Sequence, residues 1–245
     1  MGPNDRSLNM RIAVSGTANQ GKTTLIKDFI DVWKPYSTPE ETYRSKLKKG
    51  KHSKQTTSDT QWDILNFMLD GLQEYRSNHN IIFDRCPLDN IVYSLWAHEK
   101  GADGFDKEFI DKCIPIIRES MKFLDIIFFI PITSAAPVKI EDDGVREIDH
   151  EYIIEIDNLF KAMYQQWLDP NSPFFPVDDK PAIIEIFGTR EQRIHMMKLY
   201  IDPDTGKAID EEGILDVNEM ERVEQQFRNL DDGYTDMGDV KNLIV

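Results

Sequence analysis

Apolar positions change their period along this chain, and the changes mark out its elements. Residues 11–15, Arg-Ile-Ala-Val-Ser, read as a short strand with an apolar centre. After a polar stretch, Leu25, Ile26, Phe29, Ile30 and Trp33 recur at helical spacing, which gives a helix with one buried face. That helix starts at Gly21 or Lys22, and Pro35 ends it. Residues 36–44 read as short and extended, and 45–57 carry no clear period. Trp62, Leu65, Met68 or Leu69, Leu72 and Tyr75 predict a second helix over 58–76. Ile81, Ile82 and Phe83 form a buried strand that ends in Asp84-Arg85. Residues 88–98 read as helix. So do the residues around Phe109, Cys113, Ile116 or Ile117 and Met121, where Pro115 is expected to bend the chain. Residues 125–130 are nearly all apolar, as in the middle of a parallel sheet covered on both faces. Ile153, Ile156, Phe160, Met163 and Trp167 step by three and four, a helix over 151–168. Residues 182–187 are the last strand, followed by a helix carrying Ile194, Met197 and Tyr200.

Strand and helix alternate throughout, which predicts an α/β fold: a parallel sheet with helices on both faces. Residues 1–9 read as a flexible lead, and no internal repeat is visible. The stretch 201–245 differs in character. It opens on the turn Asp202-Pro203-Asp204-Thr205-Gly206 and holds one amphipathic helix with Met220, Val223, Phe227 and Leu230. The turn superficially matches a calcium loop. Gly206 stands where an acidic ligand belongs and Lys207 where the glycine belongs, so calcium is rejected.

Composition narrows the class. With 40% hydrophobic and 30% charged residues, the chain matches a soluble globular protein. No apolar run approaches the ~20 residues of a membrane helix, and residues 1–9 lack a signal-peptide centre. Two cysteines, Cys86 and Cys113, make no disulfide framework, so a reducing, cytoplasmic compartment is expected. The net charge of −15 argues against broad binding to nucleic acid or anionic membrane. The charge is uneven, with thirteen acidic against four basic residues in 201–245. Arg44, Lys46, Lys48, Lys49, Lys51 and Lys54 put six positive charges into eleven residues. That run reads either as a solvated loop or as a site for an anionic partner such as DNA.

The strongest chemical signal follows the first strand. Gly16-Thr17-Ala18-Asn19-Gln20-Gly21-Lys22-Thr23 matches G-x-x-x-x-G-K-[ST], the phosphate-binding P-loop, and Thr24 continues it into the helix. The two glycines let the backbone turn and approach phosphate. Loop amides and the helix N-terminus point at the anion. Lys22 adds a mobile positive charge, and Thr23 offers a hydroxyl to Mg²⁺ arriving with ATP. Asp84 ends a strand, where ligands sit in open α/β sheets, and can also hold Mg²⁺. Arg85 suits a transferring phosphoryl group or an acceptor; the plainer reading is an Asp-Arg pair closing a strand. Motor ATPases usually end this strand in Asp-Glu, and no guanine-binding N/T-K-x-D appears.

A hydroxyl acceptor benefits from a carboxylate base. Glu40 and Glu41 follow the first extended segment, and alternation lets one of them face the site. Arg146 lies in the polar stretch 133–150, from which an arginine can close over phosphates. Arg190 and Arg193 follow the last strand, near where an adenine ring could rest. Surface readings stand beside each of these. The five histidines show no metal spacing.

Taken in order, these residues resemble the P-loop nucleoside and nucleotide kinase group. Within it they are most similar to small AAA-type kinase domains that include nicotinamide riboside kinases and many bacteriophage proteins. The resemblance rests on the P-loop, Pro39-Glu40-Glu41 with Arg44, Asp84-Arg85-Cys86-Pro87-Leu88-Asp89, Asp142-Asp143-Gly144-Val145-Arg146 with Asp149, and Gly188-Thr189-Arg190-Glu191-Gln192-Arg193. It implies a three-layer sandwich with a five-strand parallel core over 10–200, ATP and Mg²⁺ as cofactors, a helical lid at about 139–150, and an adenine-side loop at 188–193. The acidic extension 201–245 lies outside it. Some phage relatives phosphorylate hydroxymethylated pyrimidines in DNA. The implied activity is therefore γ-phosphate transfer to a nucleoside-type hydroxyl, on a free nucleoside or nucleotide or on a base in DNA. A P-loop ATPase or switch without such an acceptor is the alternative.

Overall fold

The computed structural model describes residues 10–43, 56–77, 80–133 and 149–209. Four strands, β1 (Arg11–Ser15), β2 (Ile81–Asp84), β3 (Ile126–Phe129) and β4 (Ala182–Glu185), form one sheet in the order β2-β1-β3-β4. Every pairing is parallel, with Val14 opposite both Asp84 and Phe128. The helices are α1 (Lys22–Val32), α2 (Ser58–Glu74), α3 (Pro87–Glu99), α4 (Lys107–Ser120), α5 (His150–Gln165) and α6 (Arg190–Met197).

Strand alternation sorts the apolar side chains into two layers. Ala13, Phe83, Ile127 and Phe129 face α2, α3, α4 and α5 in one core. Ile12, Val14, Ile82 and Phe128 face α1 and α6 in the other. Phe128 and Phe129 are both fully buried, each burial contributing about 1.5–3 kcal/mol. A strand apolar on both faces therefore sits inside a three-layer sandwich, as its composition predicts.

The expected fifth strand is a single bridge. Ser37 pairs with Ile81 beside β2: Ser37 N–H donates to Asn80 at 3.0 Å, and Ile82 N–H donates to Ser37 at 2.9 Å. Pro39, two residues on, has no N–H to continue the ladder. Pro115 does not interrupt α4. Both Pro115 and Asp111, whose carbonyl loses its helical donor, are exposed, so water can satisfy that carbonyl. The turn at 202–206 docks on the end of α1, where Gly206 C=O accepts from the Tyr36 hydroxyl at 2.8 Å. Both cysteines are buried and free. No helix among the described residues is long and apolar enough to cross a membrane. The basic run 44–54, Arg146 with most of the expected lid, and the helix around Phe227 lie outside the described residues.

Candidate phosphoryl-transfer site

The loop between β1 and α1 is shaped by its backbone. Gly16 has φ 135° and Gly21 φ 74°, conformations that favour glycine. A Cβ on Gly16 would lie 2.7 Å from the Ile130 carbonyl oxygen, so the loop's first residue is wedged against the end of β3. Asn19 also takes positive φ, a conformation asparagine tolerates. Gly21 caps α1 with no side-chain hydrogen bond, and no acidic residue occupies the first turn. The helix thus offers its first N–H groups to an anion.

Lys22 is buried, and its ammonium lies within the loop, donating to the carbonyls of Gly16 (2.8 Å) and Thr17. Two further polar atoms in the loop, Thr17 Oγ1 and Gln20 Oε1, are buried without hydrogen-bond partners among the described residues. Ala18 is half-buried and Thr24 exposed. Backbone curvature, a helix N-terminus, an enclosed ammonium and two buried polar atoms fit a polyphosphate. Thr23 Oγ1 donates to Asp84 Oδ2 at 3.1 Å, which joins the start of α1 to the end of the neighbouring strand β2. A hydroxyl and a carboxylate side by side are hard oxygen donors, the chemistry Mg²⁺ requires.

Arg85 follows directly, and it has φ 81°. A left-handed backbone at a non-glycine residue costs of order 1–3 kcal/mol. What holds it there is visible: Arg85 N–H donates to Val14 at 3.0 Å, and the guanidinium is buried. Arg85 Nη1 donates to Asp89 Oδ1 at 2.8 Å and to the Gly16 carbonyl at 3.1 Å. Nη2 donates to the Tyr93 hydroxyl at 3.2 Å. The rings of Tyr43 and Tyr93 lie 5.3 Å and 5.1 Å from its central carbon. Burial opposes the charge, but Tyr43, Tyr93, Asp89 and Asp84 outweigh it and hold the guanidinium protonated more firmly than usual.

A cleft opens beside Asp84 and Arg85. Residues 38, 39 and 41–43 and the α2 side chains Phe67, Met68 and Leu72 line it, together with Phe83 and Cys86. Glu41 is on this wall. Glu40, exposed like Glu41, lies off this wall and bears on Tyr75, whose hydroxyl is pushed up by burial, Glu74 and Glu40. The two glutamates thus diverge, at bends that follow the Ser37 bridge.

Arg190 and Arg193 also diverge. Arg190 forms a two-pronged ion pair with Asp28 on α1, at 2.9 Å and 2.6 Å. Arg193 is buried and donates to the Gln20 carbonyl at 2.6 Å, with its Nη1 3.5 Å from where a Gly21 Cβ would stand. Burial lowers its pKa. It is Arg193 that touches the phosphate loop directly.

Beyond the last β3 residue, Asp157 and Lys161 on α5 bracket a single residue. Ile132 N–H donates to Asp157 Oδ1 at 3.0 Å, and Lys161 donates to Ile132 C=O at 2.9 Å. The two side chains pair at 2.9 Å. Burial raises the Asp157 pKa, against Lys161, the Ile132 amide and Lys22. Neither this pair nor the role of Asp89 was singled out from sequence. The available signal was a carboxylate set among the apolar positions of each helix with a cation four residues away.

A family model described as an AAA domain matches residues 11–176, more than half of the chain. The chain belongs to this AAA-domain family. No curated protein sequence matches it. Among solved structures it is similar to deoxyadenosine kinase from M. mycoides with bound dATP, at 17% identity and a TM-score of 0.54, covering 77% of this chain and 97% of that one. Thymidylate kinase from Candida albicans matches at 15% identity and a TM-score of 0.55, over 83% of this chain and 96% of that one. At these identities the likeness is one of fold: the AAA-domain chain has the P-loop nucleoside and nucleotide kinase architecture.

Proposed function

We propose that this protein is an ATP-dependent phosphotransferase that moves the γ-phosphate to a hydroxyl of a nucleoside-type acceptor. The observation that carries the reading is the cleft at Asp84-Arg85, which opens beside the phosphate loop and has Glu41 on its wall. A P-loop ATPase without an acceptor has no need of it. The fold it shares with a deoxyadenosine kinase and a thymidylate kinase supports the same reaction class.

Bound ATP and Mg²⁺ would supply the electrophilic phosphorus and neutralise its charge. Residues 16–24 bind the phosphates through loop amides and the start of α1, and Lys22 exchanges its loop carbonyls for phosphate oxygens. Thr23 and Asp84 would hold Mg²⁺. Glu41, rather than Glu40, accepts the acceptor's hydroxyl proton on a carboxylate oxygen. Arg85 lines the acceptor side, where its positive charge orients the acceptor. Arg146 acts from the lid and excludes water as it closes. Arg190 and Arg193 flank the adenine side. The apolar wall from Phe67 to Leu72 suits a planar base.

The acceptor is either a free nucleoside or nucleotide or a hydroxymethylated pyrimidine in DNA. The basic run starts at Arg44, next to the cleft-lining Tyr43, so an anionic acceptor would meet positive charge on arrival. The protein is proposed to act in a cytoplasm. Transfer of label from γ-labelled ATP is measured against deoxynucleosides, deoxynucleoside monophosphates and hydroxymethyluracil-containing DNA. Labelling of any of these supports a kinase and identifies its class of acceptor. Rapid ATP hydrolysis with no labelled acceptor overturns the reading.

A further inference from the structure

Asp89 has no role in the reaction as described, yet it is buried at the junction of both halves of the site. Its Oδ1 accepts from the Gly16 amide at 3.3 Å and from Arg85 Nη1 at 2.8 Å. Its Oδ2 accepts from the Cys86 amide at 3.0 Å, closing the first turn of α3. Arg85 Nη1 in turn donates to the Gly16 carbonyl. Both polar groups of one loop residue, N–H and C=O, are therefore held by one ion pair. Only 7% of the Arg85 side chain and 1% of Asp89 are exposed, so the pair is shielded from water and its geometry is set by the surrounding packing. The guanidinium also lies against the ring of Tyr43, which belongs to the acceptor-side cleft.

We propose that Asp89 is a positioning residue that orients Arg85 on Gly16, and that Arg85 couples the acceptor-side Tyr43 to the conformation of the donor loop. This rests on the reading of loop 16–23 as the ATP site. Gly16 has little room to adapt, because the Ile130 carbonyl closes its other side. A shift of the guanidinium therefore moves the peptide that begins the loop. Tyr43 reaches the loop through Arg85, so a change there registers in nucleotide affinity with no acceptor present.

The test is equilibrium binding of the non-hydrolysable ATP analogue AMP-PNP with Mg²⁺ to the full chain, by calorimetry. Tyr43→Leu removes the ring beside the guanidinium and is expected to weaken binding about fivefold, the size of one partly buried cation–π contact. Tyr43→Phe keeps the ring and should restore binding to within about twofold of the unmodified chain. Asp89→Asn keeps the shape, loses the charge, and should weaken binding about tenfold. If Asp89→Asn does not fold, the two Tyr43 variants decide alone. Wild-type affinity in Tyr43→Leu, or in a folded Asp89→Asn, overturns the proposal. Failure of the unmodified chain to bind AMP-PNP overturns the ATP-site reading and this proposal with it. Binding by the unmodified chain with Tyr43→Leu unaltered overturns this proposal only.

Discussion

The proposed donor loop and acceptor-side cleft meet at Asp84, and they are built by opposite means. The loop is contiguous chain, residues 16–23, shaped by backbone geometry, braced from within by Lys22 and clamped from outside by Arg85, Asp89 and Arg193. The cleft is assembled from residues 38, 39 and 41–43, one face of α2 and the end of β2, and its walls are mostly side chains. Backbone groups fixed in advance suit a ligand that does not vary, because they cost no reorganisation when charge arrives. Side chains from separate elements suit a ligand that differs between relatives, because each can change without disturbing the fold. The residues that clamp the donor loop should therefore be intolerant, and the acceptor half sharply position-dependent.

The largest effect tests the donor half. Lys22→Ala removes the one ammonium enclosed by the loop. It should lower kcat/KM for ATP about a thousandfold, the upper range for losing one preorganised donor to a transferring group. Steady-state kinetics with the best acceptor from the labelling panel reads it. Retained activity would mean that the enclosed lysine serves only to satisfy the Gly16 and Thr17 carbonyls.

The next effect tests whether the cleft discriminates between neighbours. Glu41→Gln should lower kcat about a hundredfold, at the low end of what a general base contributes. Glu40→Gln should stay within about twofold, since Glu40 bears on Tyr75 and is not on the cleft wall. A reversed order would mean that residues 38–43 change register when the acceptor binds.

These two tests also separate what the residues alone disclosed from what they did not. The P-loop is local, so residue order specified it, and short apolar runs and helical periods located the four strands and six α-helices of the described residues within a few residues. The choice between Glu40 and Glu41 was not legible. It depends on how an extended stretch pinned at a single residue, Ser37, lies against the sheet. The same limit explains the sheet: residues 36–44 read as extended, but Pro39 stops the pairing that would make them a strand. The ion pairs of Arg85 with Asp89 and of Asp157 with Lys161 share the spacing of ordinary surface pairs. Only packing shows that both are buried, and that each brackets one backbone residue at the edge of the site.

The Asp157–Lys161 bracket gives a test on stability. Asp157→Asn leaves Lys161 beside a neutral amide, and Lys161 retains only 14% exposure. Removing one partner of a buried pair costs 3–5 kcal/mol, and the residual exposure reduces this to about 2 kcal/mol. Urea unfolding without nucleotide measures it. Burial raises the Asp157 pKa in the fold, so the native state binds this proton more readily than the unfolded chain does. As pH rises from the unfolded pKa through the folded one, the group's contribution to stability falls. The Asn variant should lack that part of the pH dependence. An unchanged profile would show that Lys161 and the Ile132 amide cancel the cost of burial.

The smallest effect lies at the far end of the donor half, where two arginines three residues apart meet different partners. Arg193 donates from a buried position to the Gln20 carbonyl, a charge-assisted bond inside the loop. Arg193→Ala should raise the KM for ATP about tenfold, the ~1.4 kcal/mol at the low end for such a bond. Arg190 is 70% exposed and pairs with Asp28 on the outer side of α1. Exposed pairs contribute little, so Arg190→Ala should change that KM by less than about threefold. Equal effects would require Arg190 to leave Asp28 for the nucleotide when ATP binds, and Asp28→Ala would then improve ATP binding by releasing it. The double variant decides between the two: independent roles multiply, whereas a shared contact with the adenine side gives less than the product.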